Sequence, residues 1–205
     1  MNDHYIVAVT GGIGSGKSVV CNMLSAMGYE VYDCDSRARR IMDEDSNIKA
    51  AIAKDICADA ISETGDILRD KLAEIVFNDS DALVRLNKCV HSAVRNDVRR
   101  ESLRHRVLFV ETAILYQSEM DCMVDSVWEV VAPLSVRVSR VMNRNGISES
   151  QVMARIKAQS LPNNVQEHPR TFYITNDDTV AVLPQLLDLI NDEFEFIRVH
   201  PRTEF

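Results

Sequence analysis

The segment Val9-Thr10-Gly11-Gly12-Ile13-Gly14-Ser15-Gly16-Lys17-Ser18 sets four glycines, a lysine and two serines directly behind a short apolar run. Glycines let successive backbone N–H groups turn toward one anion, and a helix starting at Lys17 would add unpaired donors and a partial positive charge. The spacing from Gly11 to Ser18 is that of a phosphate-binding P-loop, in which Lys17 reaches the β- and γ-phosphates and the Ser18 hydroxyl binds Mg²⁺. A dinucleotide-binding turn would need G-x-G-x-x-G. Here the glycines run Gly12-x-Gly14-x-Gly16 and Lys17 follows at once, so the motif points to a nucleoside triphosphate.

Outward from this loop, runs rich in β-branched and aromatic residues occur at 5–10, 30–33, 107–112, 126–132 and 171–175. They are nearly solid apolar, which suits strands buried on both faces of a parallel sheet. Helical patterns lie between them: 17–27 stopping at Gly28, 134–145 and 148–160 joined near Gly146 with Ser148 as an N-cap, and a closing helix over 178–196. Segment 36–106 is too long for a single crossover. It carries Leu83, Leu86, Val90, Val94 and Val98 at spacings of three and four, the stripe of a long amphipathic helix. The expected fold is α/β, a P-loop three-layer sandwich with a five-stranded parallel sheet. Its core would be about 1–35, 107–140 and 171–196, with a helical subdomain over 36–106 on the rim of the sheet and a short helical segment over 140–160. Pro162 and Pro169 fall in a loop before the last strand, and 197–205 reads as a loose tail.

Composition narrows the partners. The 205 residues carry a formal charge of -8, which disfavours a protein that coats nucleic acid, so anionic ligands must meet local clusters of arginine and lysine. The five cysteines are scattered, without a C-x-x-C pair, as in reduced cytoplasmic proteins. No basic leader and no apolar stretch of membrane-spanning length appear, so no membrane partner is expected. A monomer or small homo-oligomer fits such a chain.

P-loops serve many reactions. GTPases add N-K-x-D and D-x-x-G motifs, and neither string occurs here. Motors and transporters place an aspartate at the end of an apolar strand, whereas the run through Val110 ends in Glu111. A small kinase remains. Phosphoryl transfer to an alcohol needs a group that orients the hydroxyl and takes its proton. Asp33 and Asp35, at the end of the second strand, are candidates. Two apart on an extended chain they would share a face, and they could also be caps for the following helix. If the order follows P-loop kinases, this strand lies beside the first.

Several motifs together resemble dephospho-CoA kinase. They are the glycine loop, then Gly28-Tyr29-Glu30-Val31-Tyr32-Asp33-Cys34-Asp35 with Arg39, then Asn87-Lys88-Cys89-Val90-His91, and lastly Arg140 with Arg144 and Arg155-Ile156-Lys157-Ala158-Gln159. The resemblance implies ATP-dependent phosphorylation of the 3′-hydroxyl of the dephospho-CoA ribose, giving CoA and ADP, with Mg²⁺. It implies Asp35 as catalytic base, Asp33, Arg39, His91 and Glu111 on the acceptor side, 36–106 as a helical acceptor-binding subdomain and 140–160 as a short helical lid. Gly11, Gly12, Ile13, Gly14, Ser15, Gly16, Lys17, Ser18 and Val19 would hold ATP, with Arg140 and Arg144 in an arginine-bearing lid and Asn176 beside the adenine. The R-x-x-x-R spacing also puts both guanidiniums on one helix face, useful for two polyanionic substrates. By residue type alone, a histidine at the edge of an apolar stripe packs more often than it binds.

The chain departs from the family's pattern in places. His91 is followed by Ser92 rather than proline, so its helix can continue. In Glu111-Thr112-Ala113-Ile114-Leu115-Tyr116-Gln117, alanine replaces a proline and Gln117 replaces a closing acid, in a segment expected to border the acceptor. Val19 stands for a threonine, and Asp177-Asp178 follows Asn176 without the common glycine. A P-loop kinase of another small alcohol, or a non-catalytic nucleotide-binding module, are the alternatives.

Overall fold

The computed structural model describes residues 4–159 and 166–199, the last six of these by backbone alone. Strands β1 (Tyr5–Thr10), β2 (Glu30–Asp33), β3 (Val107–Glu111), β4 (Ser126–Val131) and β5 (Thr171–Thr175) form one sheet in the order β2-β3-β1-β4-β5. β1 pairs in parallel with β3 and β4, and β4 with β5. The α/β, five-stranded parallel architecture is the one the sequence predicts. The position of β2 is not: it borders β3, because β3 returns to lie between it and β1. β1 thereby becomes the central strand, and its carboxyl end opens where the chain crosses to either side, the usual place for a ligand in such sheets.

Solid apolar sequence means burial for the inner strands alone. Every residue of β1 is buried, whereas β2 and β5 keep exposed positions such as Glu30 and Tyr173, since each edge strand lacks a neighbour on one side. On one face of the sheet Val7, Val9, Phe109 and Trp128 pack against Leu24 and Leu186 of the flanking helices. The Phe109 and Trp128 rings lie 5.1 Å apart and tilted, a favourable aromatic pairing.

Helix α1 (Lys17–Ala26) ends as its sequence dictates. Gly28 takes φ 90, its N–H donates to Ser25 O and Tyr29 N–H donates to Leu24 O, the paired bonds of a Schellman cap. After β4 come α6 (Leu134–Asn145) and α7 (Glu149–Gln159), joined through Gly146, and α8 (Val182–Val199) closes the chain. Ser148 caps α7 as expected: its Oγ accepts from Gln151 N, and Gln151 Oε1 reaches back to Ser148 N at 2.9 Å. α8 starts later than the sequence suggests, because Asp177 takes up the Thr179 and Val180 N–H groups in a turn. It also runs through Ile197 to Val199, where a loose tail was expected; 200–205 and Pro162 lie outside the described residues.

The chain divides into two compact units, residues up to Tyr32 together with those from Glu101 onward, and residues Asp33–Arg100. The second is helical: α2 (Cys34–Glu44), α3 (Ser46–Asp55), α4 (Arg69–Asn78) and most of α5 (Ser80–Ser102). It has a core of its own around Ile48, Ile52, Ala60 and Leu72, with Leu86 packed against it. Leu83, counted in the apolar stripe by spacing, is exposed, and Ala82 takes the buried position instead. α5 passes through His91 and Ser92 without a break, as the absence of proline allows. Ion pairs such as Arg69–Asp43 dress the surface of this unit and contribute little each.

Candidate active site

Between β1 and α1 the glycine loop leaves the helix N-terminus open. The N-cap is Gly16 in the left-handed region at φ 97, and no side chain caps α1, so the helix start is left without the side-chain acceptor that usually closes it. A side chain at Gly16 would be excluded twice over: by that φ, and by Asn176, whose Nδ2 overlaps the place a Cβ would take. At Gly12 the Arg137 guanidinium occupies the place a Cβ would take, so a side chain there would have to displace the end of Arg137. Lys17 Nζ donates to the Gly11 carbonyl at 2.7 Å, folded back over the loop it would serve. Ser15 is buried with its hydroxyl unpartnered among the described residues, while Ser18 and Val19 are exposed on the first turn of α1.

Helix α6 forms one wall of the loop. Arg140 donates through Nη1 to Gly14 O and Ser15 O, each at 3.4 Å, and to Asn176 O at 3.0 Å. Its Nη2 reaches Asn176 Oδ1 at 3.2 Å and pairs with Asp178. Arg144, one turn on, is exposed and bonds to neighbouring Asn145, so the structure does not bring it to the loop. Asn176, expected beside a base, donates Nδ2 to Ser15 O at 2.8 Å and so ties β5 to the loop. Asp178 adopts φ 69, a conformation that Asp tolerates better than most residues.

Sequence reasoning passed over three residues here. Arg137 donates Nε to Ile13 O at 2.9 Å, Gln159 Oε1 accepts from Ile13 N at 2.8 Å, and Asp178 holds Arg140. Arg137 had a signal, lying three residues before Arg140 on the same helix face. Gln159 stood within a family motif without a role, and Asp178 stood out only as part of a pair that follows Asn176 in place of the common glycine.

Beside the loop, at the carboxyl edge of the sheet, a cavity of about 170 Å³ is lined by Thr10, Gly12, Tyr116, Gln117, Glu129 and Glu167 among others. Burial pushes the Glu129 carboxyl above the ordinary range, the negative charge of Glu167 adds to this, and Arg137 opposes it. Burial likewise lowers Arg137 from its ordinary value, against the pull of Glu129. Glu111 closes β3 opposite Val9, and Thr112 N–H continues the ladder to Val9 O at 3.1 Å.

In the helical unit the two aspartates divide differently from the sequence expectation. Cys34 already begins α2, so Asp33 and Asp35 do not alternate on an extended strand. Asp33 is the N-cap, accepting from Asp35 N at 2.9 Å, Ser36 N at 3.3 Å and Ser36 Oγ. Asp35, which the sequence offered as a cap, sits exposed in the first turn, and no partner for its carboxylate is found among the described residues. Arg39 lies one turn further, exposed, and His91 is half-buried on α5 beside buried Val90.

A central parallel strand leading through an uncapped glycine loop into a helix, with an arginine-bearing helix against that loop, defines a P-loop kinase fold. The family pattern described as dephospho-CoA kinase matches residues 5–181. A dephospho-CoA kinase of Porphyromonas gingivalis is 32% identical over 186 residues, covering 90% of this chain and 92% of that protein. A Thermus thermophilus protein of known structure superposes with TM-score 0.74 at 31% identity, over 95% of this chain and 98% of that one. A Campylobacter jejuni dephospho-CoA kinase shares the fold at TM-score 0.64 and 22% identity, over 95% and 98% of the two chains. The chain belongs to the dephospho-CoA kinase family.

Proposed function

We propose that this protein transfers the γ-phosphoryl group of ATP to the ribose 3′-hydroxyl of dephospho-CoA, giving CoA and ADP. Family membership supplies the reaction, and the uncapped N-terminus of α1 behind Gly16 is the observation that carries it. A helix start whose N–H groups no side chain takes, flanked by Lys17 and Arg140, is built to receive phosphates.

The chemistry assigns the remaining roles. The acceptor oxygen forms a bond to the γ-phosphorus as the bond from that phosphorus to the β,γ-bridging oxygen breaks, and the hydroxyl proton passes to a base. Asp35 is the proposed base, its carboxylate left over by the cap that Asp33 provides. Lys17 turns from Gly11 O to the β- and γ-phosphates, and Arg140 and Arg144 add charge that a transition state of this kind requires. Asp33, Arg39, His91 and Glu111 are assigned to the acceptor, with Asn176 and the loop residues through Val19 assigned to ATP. α6 and α7 form the lid that excludes water.

The donor set suits Mg²⁺. That ion takes oxygen ligands, keeps several waters and needs one or two protein oxygens beside substrate phosphates, and the exposed Ser18 hydroxyl next to Lys17 offers such an oxygen. Bound there, Mg²⁺ would neutralise charge on the β- and γ-phosphates. The five cysteines, none in a disulfide, support a cytoplasmic setting. No described helix is long and apolar enough to cross a membrane.

The test is an assay of purified protein with ATP, Mg²⁺ and dephospho-CoA, scoring CoA and ADP together. Equimolar appearance of both is expected. A folded preparation that binds ATP and forms no CoA rejects the acceptor.

A further inference from the structure

Ile13, near the tip of the glycine loop, is held at three points by α6 and α7. Its N–H donates to Gln159 Oε1 at 2.8 Å, its carbonyl accepts from Arg137 Nε at 2.9 Å, and its side chain packs against Val138, Val141 and Val152. Gln159 is the last residue of α7, and its backbone carbonyl accepts from Gln117 Nε2 at 3.2 Å. We propose that Gln159 is a positioning residue for the nucleotide: by engaging the Ile13 N–H it fixes the peptide that leads into Gly14–Lys17 and with it the path of the phosphate cradle. The proposal rests on the phosphate-loop reading above.

The physical case starts from the loop's own weakness. Glycine loses more conformational freedom on ordering than any other residue and offers no side chain by which the loop could anchor itself. A cradle that is not held in shape must be ordered by its ligand, and affinity falls by that cost. Ile13 interrupts the glycines and gives the loop a grip through N–H, carbonyl and side chain together, beside the carbonyls of Gly14 and Ser15 that Arg140 and Asn176 hold. The chemical type of the grip matters as well. Gln159 lines the same cavity as Glu129 and Glu167, where a third carboxylate would add repulsion between like charges and toward a bound phosphate. An amide accepts the Ile13 N–H without adding charge. Gln117 fits the same logic: it stands where the resemblance leads one to expect an acid, and a carboxylate could not donate to the Gln159 carbonyl.

Gln159→Leu tests this, because it keeps bulk, removes the acceptor and leaves the backbone bond to Gln117 in place. The KM for ATP should rise about three- to tenfold, the span of one neutral hydrogen bond, with kcat and the KM for dephospho-CoA within about twofold. Exchange of the Ile13 amide, followed by NMR in the ATP-free protein, should accelerate by a similar factor. Gln117→Glu, an exposed change that cannot disturb folding through the core, should raise the KM for ATP about twofold and carries the test if the first variant does not fold. An unchanged KM for ATP beside faster Ile13 exchange overturns the positioning role. Unchanged exchange overturns the bond itself. A wild-type protein that binds no ATP sinks the phosphate-loop reading and the role with it, and the exchange data then still report whether Gln159 holds Ile13.

Discussion

Two strand-to-helix elbows in this chain solve the same problem in opposite ways. At the first, β1 feeds α1 through glycines, and the N-cap Gly16 offers no side chain to the helix. At the second, β2 feeds α2 directly, and the N-cap Asp33 takes two backbone N–H groups with its own carboxylate. Both helix starts carry unpaired donors and a partial positive charge before they are capped. One stays open to an anion from outside, and the other is closed by an anion from within. The comparison teaches that a helix N-terminus becomes a binding site through what its cap withholds. It also explains why Asp33 and Asp35, equal in the sequence, are unequal in the structure.

The strongest way to break this contrast is to close the open elbow. Gly16→Ala forces a Cβ against Asn176 in a backbone region that L-residues rarely adopt. Nucleotide binding, measured by titration calorimetry with ATP, should fall by more than about a hundredfold, as the loop shifts to relieve a strain of ~1–3 kcal/mol and loses its cradle. Binding within threefold of wild type would show that the close approach is not what demands glycine.

The next effect in size separates the two aspartates by chemistry. Asp35→Asn keeps the shape of the side chain and removes its capacity to take a proton. The rate of transfer to dephospho-CoA should drop by roughly 10²–10⁴, typical of lost general-base help, with ATP affinity within about twofold. A variant as active as wild type would reject Asp35 as the base.

How far the sequence led depends on how local each feature is. The loop was legible because its chemistry lies in contiguous backbone, from Gly11 to Ser18. Helix ends at Gly28 and Ser148 were legible for the same reason, since a cap is decided within a few residues. Strand order was not, because nothing within β2 records that β3 will slot between it and β1. The roles of Asn176, Gln159 and Asp178 depend on partners far away in the chain, at Ser15, Ile13 and Arg140. Arg140 and Arg144 share a helix face by spacing, yet the contacts to the loop come from Arg140 together with Arg137. Periodicity names a face and does not say how far along the helix its neighbour extends.

The smallest expected effect bears on the closed elbow. Asp33→Ala removes the acceptor for Asp35 N–H and Ser36 N–H, and a lost aspartate cap costs about 0.5–2 kcal/mol of stability. Because this helix start is solvent-exposed, water replaces part of what is lost, which places the effect toward the lower end. Asp33→Asn retains an oxygen that can accept the same N–H groups, so its urea midpoint should lie close to wild type while that of Asp33→Ala falls. The kinetic readout then decides between a cap and a catalytic partner. If Asp33 acts through the cap, Asp33→Asn leaves transfer within about threefold, whereas Asp35→Asn loses roughly the 10²–10⁴ of a missing base. A loss of transfer in Asp33→Asn as deep as that in Asp35→Asn, at unchanged stability, would mean that both carboxylates work on the substrates. The second elbow would then be a site in its own right, closed in the free protein and opened by its ligand.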